Sequence, residues 1–175
     1  YYLMKNEDLK LAERIIDSLT ENIQDSCSTY MEEILWLWIS GEYFNKVNNV
    51  AIPEKTKSLM LNVISHIELY WQRPTVNWIG ETQEGVFLTN LAFAYGALQS
   101  VNNLLKNDAA QQCMLKIKNF MFKKYLKEGK VLSKLGSEEI MGDICFISVP
   151  FGLMDAGNQI LVETIKVVES ELVSK

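Results

Sequence analysis

Apolar residues recur along this chain with the spacing of α-helices, in two patterns that alternate. In the first pattern only one face is apolar, as in Leu9, Ala12 and Ile16, which predicts an amphipathic helix with the other face in water. In the second pattern the segment is apolar on all sides, as in Ile34 to Ile39, which predicts a helix surrounded by neighbours. Together they predict seven helices, at about Glu7–Ile23, Tyr30–Ser40, Pro53–Trp71, Val86–Leu105, Asp108–Lys127, Asp143–Met154 and Gln159–Val173. The sixth of these is expected to be disturbed or ended near Pro150.

Local signals predict several helix ends. Thr29 and Glu32 have the spacing of a capping box at the start of the second helix. Asp108 is predicted to cap the fifth helix. Gly41 is interpreted as the stop of the second helix and Gly129 as the stop of the fifth, because glycine adopts the left-handed conformation that ends many helices.

The alternation of the two helix types predicts the architecture. An apolar helix needs neighbours on most sides, whereas an amphipathic helix can face water, so alternation fits successive hairpins in an inner and an outer layer. An α-solenoid would give the same alternation, but we find no convincing repeat of about 34 or 40 residues. The pattern therefore favours an all-α fold of the α/α toroid type, with residues 1–175 forming part of a single domain.

The composition excludes several other classes of protein. Of the 175 residues, 48% are hydrophobic and 22% are charged, as in an ordinary globular protein. The formal net charge of −5 disfavours a nucleic-acid partner, because phosphate binding requires clustered Lys and Arg. No unbroken apolar run of about 18 residues occurs, so neither a membrane span nor a membrane partner is predicted. No cofactor is predicted.

The cysteines, the histidine and the first residue bear on metals and location. Cys27, Cys113 and Cys145 are far apart and His66 is the only histidine, so a zinc site lacks ligands and no metal is predicted. Cysteines in this arrangement suit a reducing compartment, and a cytoplasmic location is expected.

The chain begins with Tyr1 instead of Met, which favours a piece of a longer protein. A half toroid would expose apolar helix flanks, so association into a homo-oligomer is expected of such a piece.

Two segments resemble one enzyme family. Residues 79–89, which read Ile-Gly-Glu-Thr-Gln-Glu-Gly-Val-Phe-Leu-Thr, resemble the Leu-Trp-Glu-Glu-x-x-Gly-x-x-x-x-Thr region of glucoamylase-type glycoside hydrolases of family 15. Residues 142–153 look like the Leu-Asp-Ala-Ser-Leu-Leu-x-Leu-Pro-x-x-Gly segment of that family, and residues 164–172 look like its Thr-x-x-x-Ile-x-x-x-Leu helix. The motifs have the family's order and spacing, and the resemblance covers about residues 25–172, most closely 74–172.

The resemblance implies a fold and a reaction. The fold would be a six-hairpin α/α toroid, and the reaction would be hydrolysis of terminal α-glucosidic bonds of an oligosaccharide or disaccharide, with inversion. Glu81 stands at the position of the family's general acid. An inverting enzyme also needs a carboxylate base about 6.5–9.5 Å away, and in the family this base lies beyond the end of the matched region. The candidate substrate-binding residues are Trp78, Arg73, Thr82 and Asp143.

Departures from the family's motif leave alternatives open. Gly80 replaces the family's Trp before the acid, and Thr82 replaces the second Glu. A catalytically inactive relative that binds sugar or protein is one alternative, and an α-helical solenoid interaction module unrelated to sugars is another. The candidates also have plain structural interpretations, with Asp143 as a helix N-cap and Arg73 as a solvated loop residue. Without the base, the 175-residue chain alone is expected to be inactive.

Overall fold

The computed structural model describes residues 9–24, 28–47, 51–77, 84–138 and 140–173, and it confirms the all-α fold. Helices dominate these ranges, and the bounds of the α-helices are α1 (Leu9–Gln24), α2 (Tyr30–Lys46), α3 (Glu54–Tyr70), α4 (Leu88–Leu105), α5 (Asp108–Lys124) and α6 (Gln159–Val173). None of the helices in these ranges is long and apolar enough to cross a membrane.

Two smaller elements lie between α5 and α6. A short antiparallel ribbon pairs β1 (Leu126–Lys127) with β2 (Lys130–Val131). A 3-10 helix follows at Gly142–Ile147. The chain divides into two compact units, the first made of Tyr1–Leu69 and Ala97–Cys113, the second of Tyr70–Gly96 and Met114–Lys175. Helices α4 and α5 contribute to both units.

The core of the first unit forms around α2. Trp36 is fully buried, and its indole N–H donates a hydrogen bond of 2.8 Å to the hydroxyl of Thr20 on α1. The buried tryptophan thus satisfies its one polar group inside the protein, which supports a packing role. Met60, Val63 and Ile67 of α3 are buried as their helical spacing predicts.

The start of α2 confirms the capping box and allows a first prediction. The Thr29 hydroxyl accepts from the Glu32 N–H at 3.3 Å, and the Glu32 carboxylate accepts from the Thr29 N–H at 2.6 Å. Thr29→Ala removes an acceptor from the first turn, and we expect it to lower the free energy of unfolding by about 1 kcal/mol in urea denaturation. An unchanged urea midpoint at pH 7 would contradict this expectation.

The same cap makes stability depend on pH. The hydrogen bond from the Thr29 backbone N–H, and then the bond with the Thr29 side chain, lower the pKa of Glu32. A carboxyl group with a lowered pKa in the folded state stabilises the fold above its unfolded pKa, and this contribution is lost as the pH falls through the folded pKa. Glu32→Gln should therefore destabilise the protein at neutral pH and lose this effect in acid.

The core of the second unit forms around the first half of α4. Residues 87–96 are all buried, as an apolar helix predicts. Phe93 stacks on Phe151 with ring centroids 4.8 Å apart, and Gly96 lets Phe151 approach closely, because a Cβ at Gly96 would lie 2.8 Å from the Phe151 ring. Trp71 is buried and packs edge-on against Phe120 at 5.2 Å. Trp71 is therefore a packing residue in this unit.

Several predicted helix ends are wrong. Helix α2 continues through Gly41 to Lys46, and the N-cap of α5 is Asn107, whose side-chain oxygen accepts from the Ala110 N–H at 2.8 Å. Gly129 has a φ of +75° in the turn between β1 and β2, beyond the end of α5. The predicted helix at Asp143–Met154 is only a 3-10 helix that ends at Ile147, because Pro150 lacks an N–H and disfavours helical backbone before it.

Candidate functional site

Two of the five predicted site residues fall within the described parts of the chain. Glu81, Trp78 and Thr82 lie outside the described residues, and the neighbouring Gly80 does too. Arg73 and Asp143 are described, and both belong to the second unit. The structure therefore defines what surrounds the two ends of the segment that carries Glu81.

The two ends of this segment are joined by backbone hydrogen bonds. Thr75 and Gly85 exchange two N–H···O bonds of 2.9 Å each, which form an isolated antiparallel bridge. Asn90, near the start of α4, donates from its side-chain amide to the Thr75 hydroxyl and to the Val76 carbonyl, both at 2.9 Å. The described residues on the two sides of positions 78–83 are therefore held next to each other.

The residues that follow the segment with Glu81 are also held by the backbone of residues 133 and 134. Phe87 and Lys134 form a second antiparallel bridge, and the Leu88 N–H donates to the Ser133 carbonyl at 2.9 Å. A Cβ at Gly85 would lie 2.4 Å from Cε of Lys134, at the far end of a flexible side chain that can move away. The Lys134 ammonium lies 5.0 Å from the centroid of the Phe87 ring, which places a positive charge beside Gly85.

A buried polar cluster, Asn77–Thr89–Asp143, joins the incoming end to α4 and to the 3-10 helix. These side chains are only 2%, 1% and 6% exposed, respectively. The Asn77 amide donates to Asp143 Oδ2 at 3.1 Å, and the Thr89 hydroxyl donates to the same oxygen at 2.9 Å. Thr89 Oγ1 also lies 3.3 Å from Asn77 Oδ1. Asp143 therefore binds these two side chains and does not act as an N-cap, a position that Met141 occupies.

The two carboxylate oxygens of Asp143 differ. Oδ2 accepts two hydrogen bonds, whereas Oδ1 is buried and has no hydrogen-bond partner in the described parts of the chain. A buried polar atom without a partner costs free energy, about 1–3 kcal/mol for an ordinary group and more for a charged one. Tyr30, Ser40 and Asn102 also have a buried side-chain oxygen without a hydrogen-bond partner in the described parts of the chain, so this feature is not particular to Asp143.

Arg73 lies just after the end of α3. Its side chain is exposed, and its guanidinium carbon lies 3.9 Å from the centroid of the Tyr70 ring, a cation–π contact. The backbone N–H of Arg73 donates to the Tyr70 carbonyl at 2.9 Å. The structure thus leaves the Arg73 side chain at the surface, over the Tyr70 ring.

The first unit contains a separate cavity of about 650 Å³. It is lined by parts of α1, α2 and α3, and His66 on its wall lies 3.1 Å from a Glu33 carboxylate oxygen. Among the described residues, no three His, Cys, Asp or Glu side chains form a group that could hold a metal ion. No pattern in the sequence predicts that Glu33 and His66 lie side by side, because they are 33 residues apart on different helices.

Comparison with known proteins gives structural matches alone. No protein-family model and no curated protein matches this chain. A solved structure of a wild-type glycosidase superposes with a TM-score of 0.69 and 16% identity, and the match covers 93% of this chain and 52% of the glycosidase. A glycosidase variant in complex with glucose gives the same values. This likeness fits the α/α toroid type that the alternating helices predict. The chain therefore has a glycosidase fold and spans about half the length of the glycosidases that it matches.

Proposed function

We propose that this chain is part of a glucoamylase-like glycoside hydrolase of the family 15 type, acting on terminal α-glucosidic bonds with inversion. The observation that carries the proposal is the likeness to glycosidase structures over 93% of the chain. The motifs around Glu81 and Asp143 add support, because they occur in the family's order and spacing. On this proposal, residues 1–175 are part of a single catalytic-type domain whose remainder comes from outside this chain.

Glu81 is proposed as the general acid. In an inverting reaction the acid protonates the oxygen of the leaving sugar while a carboxylate base, about 6.5–9.5 Å away, activates a water molecule on the opposite face of the ring. The bridge between Thr75 and Gly85 supports this role, because it fixes both ends of the segment that carries Glu81. A fixed position matters, since proton transfer requires the acid within hydrogen-bond reach of the glycosidic oxygen. The base would lie outside this chain.

The remaining candidates are proposed to bind the sugar. Asp143 is proposed here because it lies in the second segment that resembles the family. Trp78 can stack on a sugar ring, and Thr82 can exchange a hydrogen bond with a hydroxyl. Arg73 offers a planar set of donors at the surface, where it can reach the outer part of a longer saccharide. The proposed substrate is an oligosaccharide or disaccharide.

The stereochemistry of the product tests this proposal. The full-length protein is incubated with maltose, isomaltose and trehalose, and the anomeric protons of the released glucose are followed by NMR. Inversion changes only the anomeric carbon that is attacked, and the leaving glucose keeps its own anomeric form. An inverting enzyme should therefore release α- and β-glucose from trehalose in equal initial amounts, and β-glucose in excess of the reducing-end mixture from maltose or isomaltose. Release of α-glucose alone from trehalose would contradict an inverting mechanism.

Two further outcomes separate the alternatives. Saccharide-dependent tryptophan fluorescence without any hydrolysis would favour a catalytically inactive sugar-binding relative, an alternative that Gly80 and Thr82 motivate. Neither hydrolysis nor a fluorescence change with any of the three sugars would favour an interaction module unrelated to sugars.

A further inference from the structure

The cavity of about 650 Å³ in the first unit has no part in the reaction proposed above. It lies between the last turn of α1, the start of α2 and the middle of α3, and its described lining residues all belong to the first unit. The residues on both sides of the segment with Glu81 belong to the second unit. The volume is within the range of about 300–1,000 Å³ that is usual for sites that bind small molecules.

The lining of this cavity is partly apolar and partly polar. The buried lining residues are Ile23 and Val63, and the half-buried Leu59 is also apolar. The described polar lining residues are exposed or half-buried, so a ligand can reach them from water; they are Gln24, Ser28, Glu33, Asn62, Ser65 and His66. A molecule in the cavity would therefore contact apolar and hydrogen-bonding side chains together.

The Glu33 carboxylate is held in place by His66. Its two oxygens lie 3.1 and 3.3 Å from Nδ1 of the imidazole ring. An ionised carboxylate can only accept hydrogen bonds, so this nitrogen carries a proton and donates it. One N–H uses only part of the accepting capacity of a carboxylate, which has about four lone-pair sites. The Glu33 side chain is 13% exposed and lines the cavity, so donors of a ligand can reach it.

The chemistry of the lining favours a ligand with several hydroxyl groups. A hydroxyl both donates and accepts, so it can donate to Glu33 and also pair with the side-chain amides of Gln24 and Asn62. An anion would lie against the carboxylate, and neither Lys nor Arg occurs among the described lining residues. An ammonium group would be attracted to Glu33, but it only donates and would leave the amide N–H groups without an acceptor. A wholly apolar molecule would remove water from the polar side chains without replacing their hydrogen bonds.

We infer that this cavity binds a small neutral polyol, such as a monosaccharide, with Glu33 as the acceptor for its hydroxyls and His66 as the residue that positions Glu33. The C–H groups of the ligand would lie against Ile23 and Val63. This inference goes beyond the proposed function, because it concerns a different unit and assigns no catalytic role to the cavity. It rests on the lining residues alone.

Binding of glucose is followed by NMR through the imidazole signal of His66 in the full-length protein. His66 is the only histidine among these 175 residues, and its signal is identified as the one that His66→Gln removes. Glucose should shift this signal saturably with a dissociation constant on the order of 1–10 mM, as expected for so small a ligand. An unchanged His66 signal at about 100 mM glucose would overturn the inference.

Glu33→Ala and Glu54→Ala form a matched pair of variants. Each removes one carboxylate from a helix of the first unit, but Glu54 is exposed and lies outside the described lining of the cavity. Glu33→Ala should weaken glucose binding by about tenfold, because hydrogen bonds to a charged group are among the stronger ones. Glu54→Ala should leave the dissociation constant within about twofold of the wild type. Equal effects of the two substitutions would overturn the role of Glu33.

Asn62→Trp tests the location of the site without removing any charge. Asn62 is exposed on α3, so the larger side chain can be accommodated by the fold while it occupies part of the cavity. We expect the glucose-dependent shift of His66 to disappear and the melting temperature to stay close to that of the wild type. A shift that survives Asn62→Trp with the same dissociation constant would mean that glucose binds elsewhere, and the inference would fail.

The class of ligand is tested with glucose, glucuronate and cyclohexylamine at constant pH. Glucuronate keeps the hydroxylated ring and adds a negative charge, whereas cyclohexylamine keeps a six-membered ring with a positive charge and no hydroxyls. Glucose should bind at least about tenfold more tightly than either, because only glucose combines donors and acceptors without a repelled charge. Tighter binding of cyclohexylamine would identify a cation site, and tighter binding of glucuronate an anion site; either result overturns the inference.

These results are separate from those that test the hydrolase. A wild type with a saturable His66 shift that hydrolyses no saccharide keeps this inference and overturns the proposed function. A wild type that hydrolyses maltose while glucose leaves His66 unchanged keeps the proposed function and overturns this inference. Glu33→Ala should retain the wild-type rate on maltose, because the cavity takes no part in that reaction.

Discussion

Glu81→Gln in the full-length protein is expected to lower kcat on maltose, isomaltose or trehalose by about a thousandfold, since general acid catalysis contributes roughly 10²–10⁴ in rate. Glutamine has the same shape and can still hydrogen-bond the sugar, but it cannot deliver a proton to the leaving oxygen. The fold and KM should change little. Rates are measured by glucose release, and circular dichroism checks the fold. Undiminished activity would contradict the assignment of the acid.

Two controls make this result specific to the acid. Glu84→Gln removes the same charge from the same segment at an exposed position beside Gly85, and it should retain most of the activity. α-Glucosyl fluoride supplies a leaving group that needs little protonation, so Glu81→Gln should lose far less activity on it than on maltose. Equal losses on both substrates would mean that Glu81 has another role.

The helices that face water on one side could be predicted closely from the sequence. The bounds of α6 agree with the prediction, and those of α1 and α3 differ by one or two residues at each end. These helices have a regular apolar stripe and local start signals. The errors lie where tertiary contacts override local signals, as at Gly41. The disturbance expected near Pro150 is found, since the segment before it forms only a 3-10 helix that ends at Ile147.

The candidate site could likewise be predicted only in part, because its residues come from distant parts of the sequence. Asp143 is recognisable because it lies in a motif that resembles a known family, but its partners Asn77 and Thr89 are 66 and 54 residues away. No local pattern indicates that these three side chains would meet. Thr89 is the last residue of the other family-like motif, but nothing in that motif indicates that its hydroxyl bonds to Asp143.

Helix α2 continues through Gly41, the residue at which the sequence predicts its end. Glycine is interpreted as a stop because it can adopt positive φ, yet Gly41 lies inside α2, where it is fully enclosed. A Cβ at this position would lie 2.2 Å from the Ser100 hydroxyl oxygen and 2.8 Å from its Cβ. The nearby Asn45 side-chain amide donates to the Ser100 carbonyl at 2.8 Å, which confirms the close approach of the two backbones. Gly41 is therefore a packing glycine.

Gly41→Ala should therefore lower the free energy of unfolding by about 2 kcal/mol, because overpacking a core costs about 1–3 kcal/mol. This sign opposes the local expectation, since alanine in a helix is favoured over glycine by about 0.5–1 kcal/mol. Gly142→Ala is the control, because its Cβ would meet only the Val168 side chain, at 3.9 Å. Urea denaturation measures both variants.

Ser100→Gly in the Gly41→Ala background should restore part of the lost stability, because it removes both the hydroxyl oxygen and the Cβ that the new methyl group would strike. Recovery should be incomplete, since the Ser100 backbone carbon still lies 3.1 Å from the added Cβ and the bond from the Ser100 hydroxyl to the Ala97 carbonyl is lost. A double-mutant cycle isolates the favourable coupling between the two substitutions. A Gly41→Ala variant as stable as the wild type would show that α2 and α4 can separate at this point at little cost, and Gly41 would then have no packing role.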